Sequence, residues 1–185
     1  MQALETLEEV KVSIQPFDIL CGLGQLMNLR NLWLDLAFVF DCDTEDTNMV
    51  GEEHNKAIVS SLCKLGTQNL RSLIIRNDWG DLLHEESLCL PTLEDLSICF
   101  SVIPGVPIWV GSLRNLQRLD VGALKNDDLC TLGALPRSVP KLGKLKLNQF
   151  CMVEANCLGF GIENLPCLTS VKCIGVKSDN GILKP

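Results

Sequence analysis

The sequence predicts an α/β solenoid, a stack of short strands joined by return arms, and three observations carry that prediction. The first is a recurring phrase: an aliphatic residue, two variable residues, another aliphatic, two more variable residues, then aliphatic-x-aliphatic. It is clearest at Leu26, Leu29, Leu32 and Leu34, at Leu90, Leu93, Leu96 and Ile98, and at Leu113, Leu116, Leu119 and Val121. Weaker copies run Leu4, Leu7, Val10, Val12; Leu70, Leu73, Ile75; Val139, Leu142, Leu145, Leu147; and Leu165, Leu168, Val171, Cys173. The second is even spacing: the penultimate aliphatics Val10, Leu32, Leu73, Leu96, Leu119, Leu145 and Val171 follow one another at steps of 22, 41, 23, 23, 26 and 26 residues. The third is the closing alternation, which turns every second side chain to the same face, as a strand of period two requires.

Together these give leucine-rich-repeat spacing, and with it a single domain over residues 1–185 of about seven repeats. Strand and return arm, stacked sideways, predict a curved right-handed horseshoe with a parallel sheet on its concave side. The return arms read as short helix or irregular coil; residues 126–135, for instance, keep helical spacing for two turns at best. The 41-residue step holds an acidic insertion over about residues 41–56, then a helix-like stretch with Ala57, Ile58, Val59, Leu62 and Leu65 in phase. The insertion is expected to bulge from the convex or lateral side. Asp41, Asp43, Glu45 and Glu52 match positions one, three, five and twelve of a calcium-binding loop. The sixth position, which needs glycine for its sharp turn, is Asp46, and no helix precedes it, so a solvated acidic loop is the better reading. Neither terminus offers the polar-faced unit that shields the end of a solenoid, so the chain reads as a section of a larger protein or a truncated gene product.

Bulk composition narrows the class of function. Hydrophobic residues make up 46% of the chain, ample for a continuous core. No run reaches the roughly 18 apolar residues of a membrane span. The start, Gln-Ala-Leu-Glu-Thr-Leu-Glu-Glu after Met1, is acidic and already in repeat phase, unlike a signal peptide. The sequence has no Asn-x-Ser/Thr glycosylation site. The run Cys151, Cys157, Cys167, Cys173 lacks the short paired spacing and nearby histidine of a zinc site, and most of the ten cysteines read as free, core-filling thiols in a reducing compartment. A cytoplasmic location follows, with the nucleus as the other compartment open to such a chain. The formal charge of −7 divides into −11 over residues 1–95 and +4 over residues 96–185. That polarity can steer a protein partner, and it lacks the concentrated basic stripe of a nucleic-acid footprint.

No catalytic constellation emerges. Gly22-Leu-Gly24 is not followed by Gly-Lys-Ser/Thr, so it is no phosphate loop. His84 lacks the second histidine of a zinc protease helix, and both His54 and His84 read as exposed loop residues. Asp127-Asp128 reads as a helix cap. No cysteine has an obvious histidine or basic neighbour activating it, which argues against a reactive-cysteine enzyme. The expectation is a non-enzymatic chain without cofactor or metal.

What remains is a surface. Alternation places Lys11, Trp33, Asp35, Arg76, Asp95, Arg118, Asp120, Lys144, Lys146 and Lys172 on the concave face, and these are the candidate partner-binding residues. Glu9, Ser13, Asn31, Ser72, Ile74, Ser97, Asn148 and Ser170 share that face. Trp33 on that face is either a binding anchor, since large aromatics dominate the energetics of protein interfaces, or covered by a neighbouring domain; the equal alternative is that it packs against adjacent side chains along the sheet. Trp109, just ahead of a strand phrase, is expected to be buried in a return arm.

The stretch Leu90-Pro-Thr-Leu-Glu-Asp-Leu-Ser-Ile, then Ile103-Pro104-Gly-Val-Pro107-Ile-Trp109-Val110-Gly-Ser-Leu113-Arg-Asn-Leu116, resembles the repeats of plant intracellular disease resistance proteins. These are the nucleotide-binding, leucine-rich-repeat (NBS-LRR) receptors of the coiled-coil class, particularly those of grasses. Asp127-Asp128-Leu129-Cys-Thr-Leu132-Gly133-Ala-Leu135-Pro136 is similar to a linker between repeats of that family. Residues 88–147 carry the distinctive part of the likeness. The resemblance implies a protein-interaction region whose partners are a pathogen effector, a guarded host protein or the receptor's own nucleotide-binding module. The nucleotide-binding module and coiled coil themselves are missing here, so no nucleotide switching is implied for this chain. Two other readings stay open: a general intracellular leucine-rich-repeat scaffold, and the substrate-binding part of a ubiquitin ligase adaptor.

Overall fold

A computed structural model describes residues 4–36, 47–77, 87–99, 107–122, 139–147 and 167–173, with side chains from residue 53 in the second stretch and up to 172 in the last. The acidic run 41–46, His84, Trp79, Asp127-Asp128 and Asn148 lie outside these residues. Within them runs one all-parallel sheet of seven strands in chain order: β1 Thr6–Lys11, β2 Asn31–Asp35, β3 Ser72–Arg76, β4 Asp95–Cys99, β5 Arg118–Val121, β6 Lys144–Leu147 and β7 Ser170–Cys173. Each strand therefore pairs with the strand of the next repeat. Two helices are described, α1 Phe17–Leu23 and α2 Thr47–Thr67, with 3₁₀ turns at Val12–Ile14 and Ile108–Ser112.

The repeated phrase acquires a physical meaning here. Its first Leu-x-x-Leu is a single turn: the carbonyls of Leu26, Leu90 and Leu113 accept the amide N–H of Leu29, Leu93 and Leu116 at 2.9–3.1 Å. Leu90, Leu93, Leu113 and Leu116 are all fully buried, so one turn plants two core side chains. The next residue begins the sheet. The carbonyls of Glu5, Arg30, Arg71, Glu94, Gln117 and Gly143 each accept two successive N–H groups from the following repeat, at 2.7–3.1 Å. This forked bond recurs six times and fixes where every strand after the first starts.

Register follows. Leu32, Leu73, Leu96, Leu119, Leu145 and Val171 stand opposite one another from β2 to β7, as the spacing predicts. The first five are at most 2% exposed. They belong to one core with Leu34, Ile75, Ile98, Val121 and Leu147. Each fully buried leucine contributes on the order of 1.5–3 kcal/mol relative to exposure.

The first repeat departs from expectation. Leu7, not Val10, stands opposite Leu32, and Val10 faces Leu34, with a register shift between Leu7 and Val10. Glu9, inside that shift, takes the left-handed conformation at φ 55°, which non-glycine residues adopt rarely. A β-bulge thus absorbs an extra residue, and Ser13 falls in the 3₁₀ turn rather than on the strand.

The long step also differs from the expected loop. Its later part, from Thr47, is the start of the 21-residue α2. Ala57, Ile58, Ser61, Leu62 and Leu65 form one buried stripe along it. Gly24 and Gly66 let the backbones close: a Cβ on Gly66 would lie 2.8 Å from the Cys89 carbonyl oxygen and from the Leu90 Cα. The Ser61 hydroxyl, the buried polar side chain of α2 among the described residues, donates to the Leu20 carbonyl at 2.7 Å, tying α2 to α1. His54 therefore lies half-buried on a helix, 6.3 Å from the Phe17 ring, and not in an exposed loop.

The cysteines correct another expectation. Cys21, Cys89 and Cys167 are exposed, Cys63 and Cys99 half-buried, all as free thiols. None of these five is fully buried, and only Cys63 among them packs against the core. Leu88 and Leu90 take the inward positions around Cys89, and Leu96 and Ile98 turn Cys99 outward. Cys63 instead bridges α2 to the lead of the next repeat, accepting the Cys89 N–H at 3.4 Å and donating to the Ser87 carbonyl at 3.6 Å. No helix among the described residues is long and apolar enough to cross a membrane.

Candidate functional site

The face of the sheet opposite the core is lined by residues whose inward neighbours fix their direction. Three rows cross it. The first reads Thr6, Asn31, Ser72, Asp95, Arg118, Lys144, Ser170, and the second Trp33, Ile74, Ser97, Asp120, Lys146, Lys172. The third reads Lys11, Asp35, Arg76, Cys99. All ten candidate residues thus stand in these rows, five strands or more apart at the extremes, so they form a surface rather than a cluster.

Their electrostatic states differ. Arg118 grips Asp95 with two bonds, Nε to Oδ1 at 2.9 Å and an Nη to Oδ2 at 3.1 Å. Lys146 donates to Asp120 Oδ2 at 2.6 Å. Just ahead of the strands, Arg71 meets Glu94 at 2.8 Å. Each pair joins neighbouring repeats, 23 or 26 residues apart in sequence. Four of the ten candidates are therefore spent on one another across β4–β6. Such exposed pairs stabilise little, about 0–1 kcal/mol each, but they cancel the charge a partner would meet. Lys11 lies 4.0 Å from Glu9, a loose pair at the bulged edge. The side chains of Lys144 and Lys172 are exposed and make no ion pair or hydrogen bond among the described residues.

Around Trp33 the arrangement is denser. The Arg76 guanidinium carbon sits 4.1 Å from the centre of the Trp33 ring, a cation–π stack between adjacent strands. Asp35 Oδ1 accepts from Asn77 Nδ2 at 2.8 Å, with Asn77 in the left-handed region at φ 54° as β3 ends. Trp33 Nε1 and Arg76 Nε are buried with no hydrogen-bond partner. Trp33 is half-buried: part of its ring is already covered by Arg76 on the adjacent strand, in line with the expectation that it packs against side chains along the sheet.

Between Ile74 and Asp120 the middle row carries the small Ser97, and a shallow recess of about 170 Å³ opens there. Ser72, Ile74, Ser97, Asp95, Arg118 and Asp120 line it. No group of three or more histidine, cysteine or acidic side chains among the described residues could hold a metal ion. Trp109 is buried, as expected, in the turn ahead of β5, where the Pro107 carbonyl accepts from Val110 at 3.0 Å and the Trp109 carbonyl from the Ser112 hydroxyl at 2.7 Å.

A parallel sheet with a repeated leucine core behind it and varied side chains in front defines a class, the repeat proteins that present a sheet face as a binding surface. Residues 1–137 match the leucine-rich repeat region family, and the chain belongs to it. The comparison with curated proteins returned no match. Leucine-rich repeat regions generally serve as non-catalytic modules for binding other proteins.

Proposed function

We propose that this chain is the recognition region of a plant intracellular disease resistance protein of the coiled-coil NBS-LRR class, and that it binds protein partners through the open face of its sheet. The observation that carries the binding reading is the split between that varied face and the uniform leucine rows behind it. In this reading the sheet curves as a right-handed horseshoe with the open face concave. The partners are a pathogen effector, a guarded host protein or the receptor's own nucleotide-binding module, held in the cytoplasm or nucleus. The resistance-protein assignment is supported by the resemblance of the Pro107-Ile-Trp109-Val110 segment, where a buried Pro107 leads into the 3₁₀ turn that buries Trp109 and Val110.

The test is co-precipitation of the full chain with the coiled-coil and nucleotide-binding module encoded with it. Charge reversal at Lys144, Lys146 and Lys172 is expected to weaken that contact and its sensitivity to salt. Unchanged capture by the triple variant, at low and high salt alike, refutes this use of the surface. A reading frame upstream of Met1 that encodes a phosphate-binding loop supports the receptor, whereas an F-box-like helical segment there supports the ubiquitin ligase adaptor instead.

A further inference from the structure

We infer that the open face from β3 to β7 takes an extended acidic segment of a partner protein, one with a single apolar anchor three or four residues from a pair of carboxylates. This rests on the reading of that face as the binding surface and specifies the chemistry it selects.

Charge sorting comes first. Asp95 with Arg118 and Asp120 with Lys146 neutralise each other across the centre of the face. Lys144 and Lys172, on neighbouring strands at the far end, keep exposed ammonium groups without partners among the described residues. What the partner meets on β6 and β7 is therefore net positive, and the complement is a pair of carboxylates.

The anchor position comes from side-chain size. Ser97 is the smallest residue of its row, flanked by Ile74 on β3 and Asp120 on β5, and the recess lies above it. Ile74 gives it an apolar wall, and Trp33, stacked with Arg76, stands opposite Ile74 on the next strand. The recess has Ile74 on one side, the mutually paired Asp95 and Arg118 with Asp120 on the other, and a mostly apolar surface between them, which suits one aliphatic side chain.

Distance joins the two. Neighbouring strands lie about 4.8 Å apart, so Ser97 on β4 is two spacings from the strand of Lys144 and three, about 14 Å, from Lys172. An extended chain advances about 3.3–3.6 Å per residue. A segment laid across the strands thus spans from recess to Lys144 in about three residues and to Lys172 in about four.

The probe is a fluorescent peptide, Ser-Leu-Gly-Ser-Glu-Glu-Gly, titrated against the full chain by polarisation. Two spacing isomers, with the leucine beside the glutamates or five residues before the first of them, serve as controls. The first peptide should bind, weaken with salt, and exceed both isomers about tenfold in affinity. K144E/K172E and S97L, which fills the recess, should each lose about tenfold with the thermal unfolding midpoint unchanged. Equal affinity for all three peptides, or an S97L variant that binds as well as the parent, would reduce the effect to unspecific ionic attraction and overturn the inference. Self-association of the chain that K144E/K172E abolishes would place a second copy on the face and overturn it as well. If no peptide binds while co-precipitation with the nucleotide-binding module persists, this chemistry fails and the surface reading survives. If both fail, both fall.

Discussion

On the inner face of the sheet Leu32, Leu73, Leu96, Leu119 and Leu145 form one row across five strands, and on the outer face, one residue along, the same strands present Trp33, Ile74, Ser97, Asp120 and Lys146. The two rows are covalently inseparable, yet one repeats a single side chain and the other repeats none. The inner row is constrained because every repeat stacks on the one before, so a change in one leucine is felt by two neighbours. The outer row meets no such neighbour layer. Its pairings, Arg118 with Asp95 and Lys146 with Asp120, are local and exposed. Period two therefore lets one short strand hold the stack together and vary what it displays.

Substitutions can break or sharpen that contrast. Leu96→Ala should do most damage: Leu96 is buried mid-stack, and losing its side chain costs about 2–5 kcal/mol in urea unfolding. Gly66→Ala comes next. The added methyl would sit 2.6 Å from a Leu90 Cδ and 2.8 Å from backbone atoms of Cys89 and Leu90, so α2 must shift, at about 1–3 kcal/mol by the same measurement. Arg118→Ala, on the outer face, should cost less than about 1 kcal/mol, since its pair with Asp95 is solvent-screened. An Arg118 variant as destabilised as the Leu96 one would erase the distinction between the faces.

Much of this was legible in the chain. The penultimate aliphatics from Leu73 to Val171 fall into register because a 23- or 26-residue step returns each strand to the same place in the stack, and Leu32 joins them across the 41-residue step that holds α2. The cross-strand ion pairs were within reach too: superposing repeats sets Asp95 beside Arg118 and Asp120 beside Lys146. The bulge at Glu9 was not, since no glycine or asparagine marks the left-handed residue. Nor was the early part of α2. Its segment Thr47-Asn-Met-Val-Gly-Glu-Glu-His54 mixes poor helix formers with no apolar stripe, and the helix is recognisable only where Ala57, Ile58, Leu62 and Leu65 reach the core. The cysteines misled because their usual preference for burial is a weaker constraint than strand phase. At the candidate surface, alternation located all ten residues, but which charges are already cancelled depends on side-chain distances between repeats.

The most direct test of the divided sheet measures thermal unfolding and affinity for the spaced acidic peptide on the same samples of K144E/K172E and Leu96→Ala. The double reversal should weaken binding about tenfold and leave the midpoint in place, whereas Leu96→Ala should lower the midpoint and, well below it, keep the affinity. If both quantities move together in both variants, stability and recognition are not divided between the two faces, and the account is wrong.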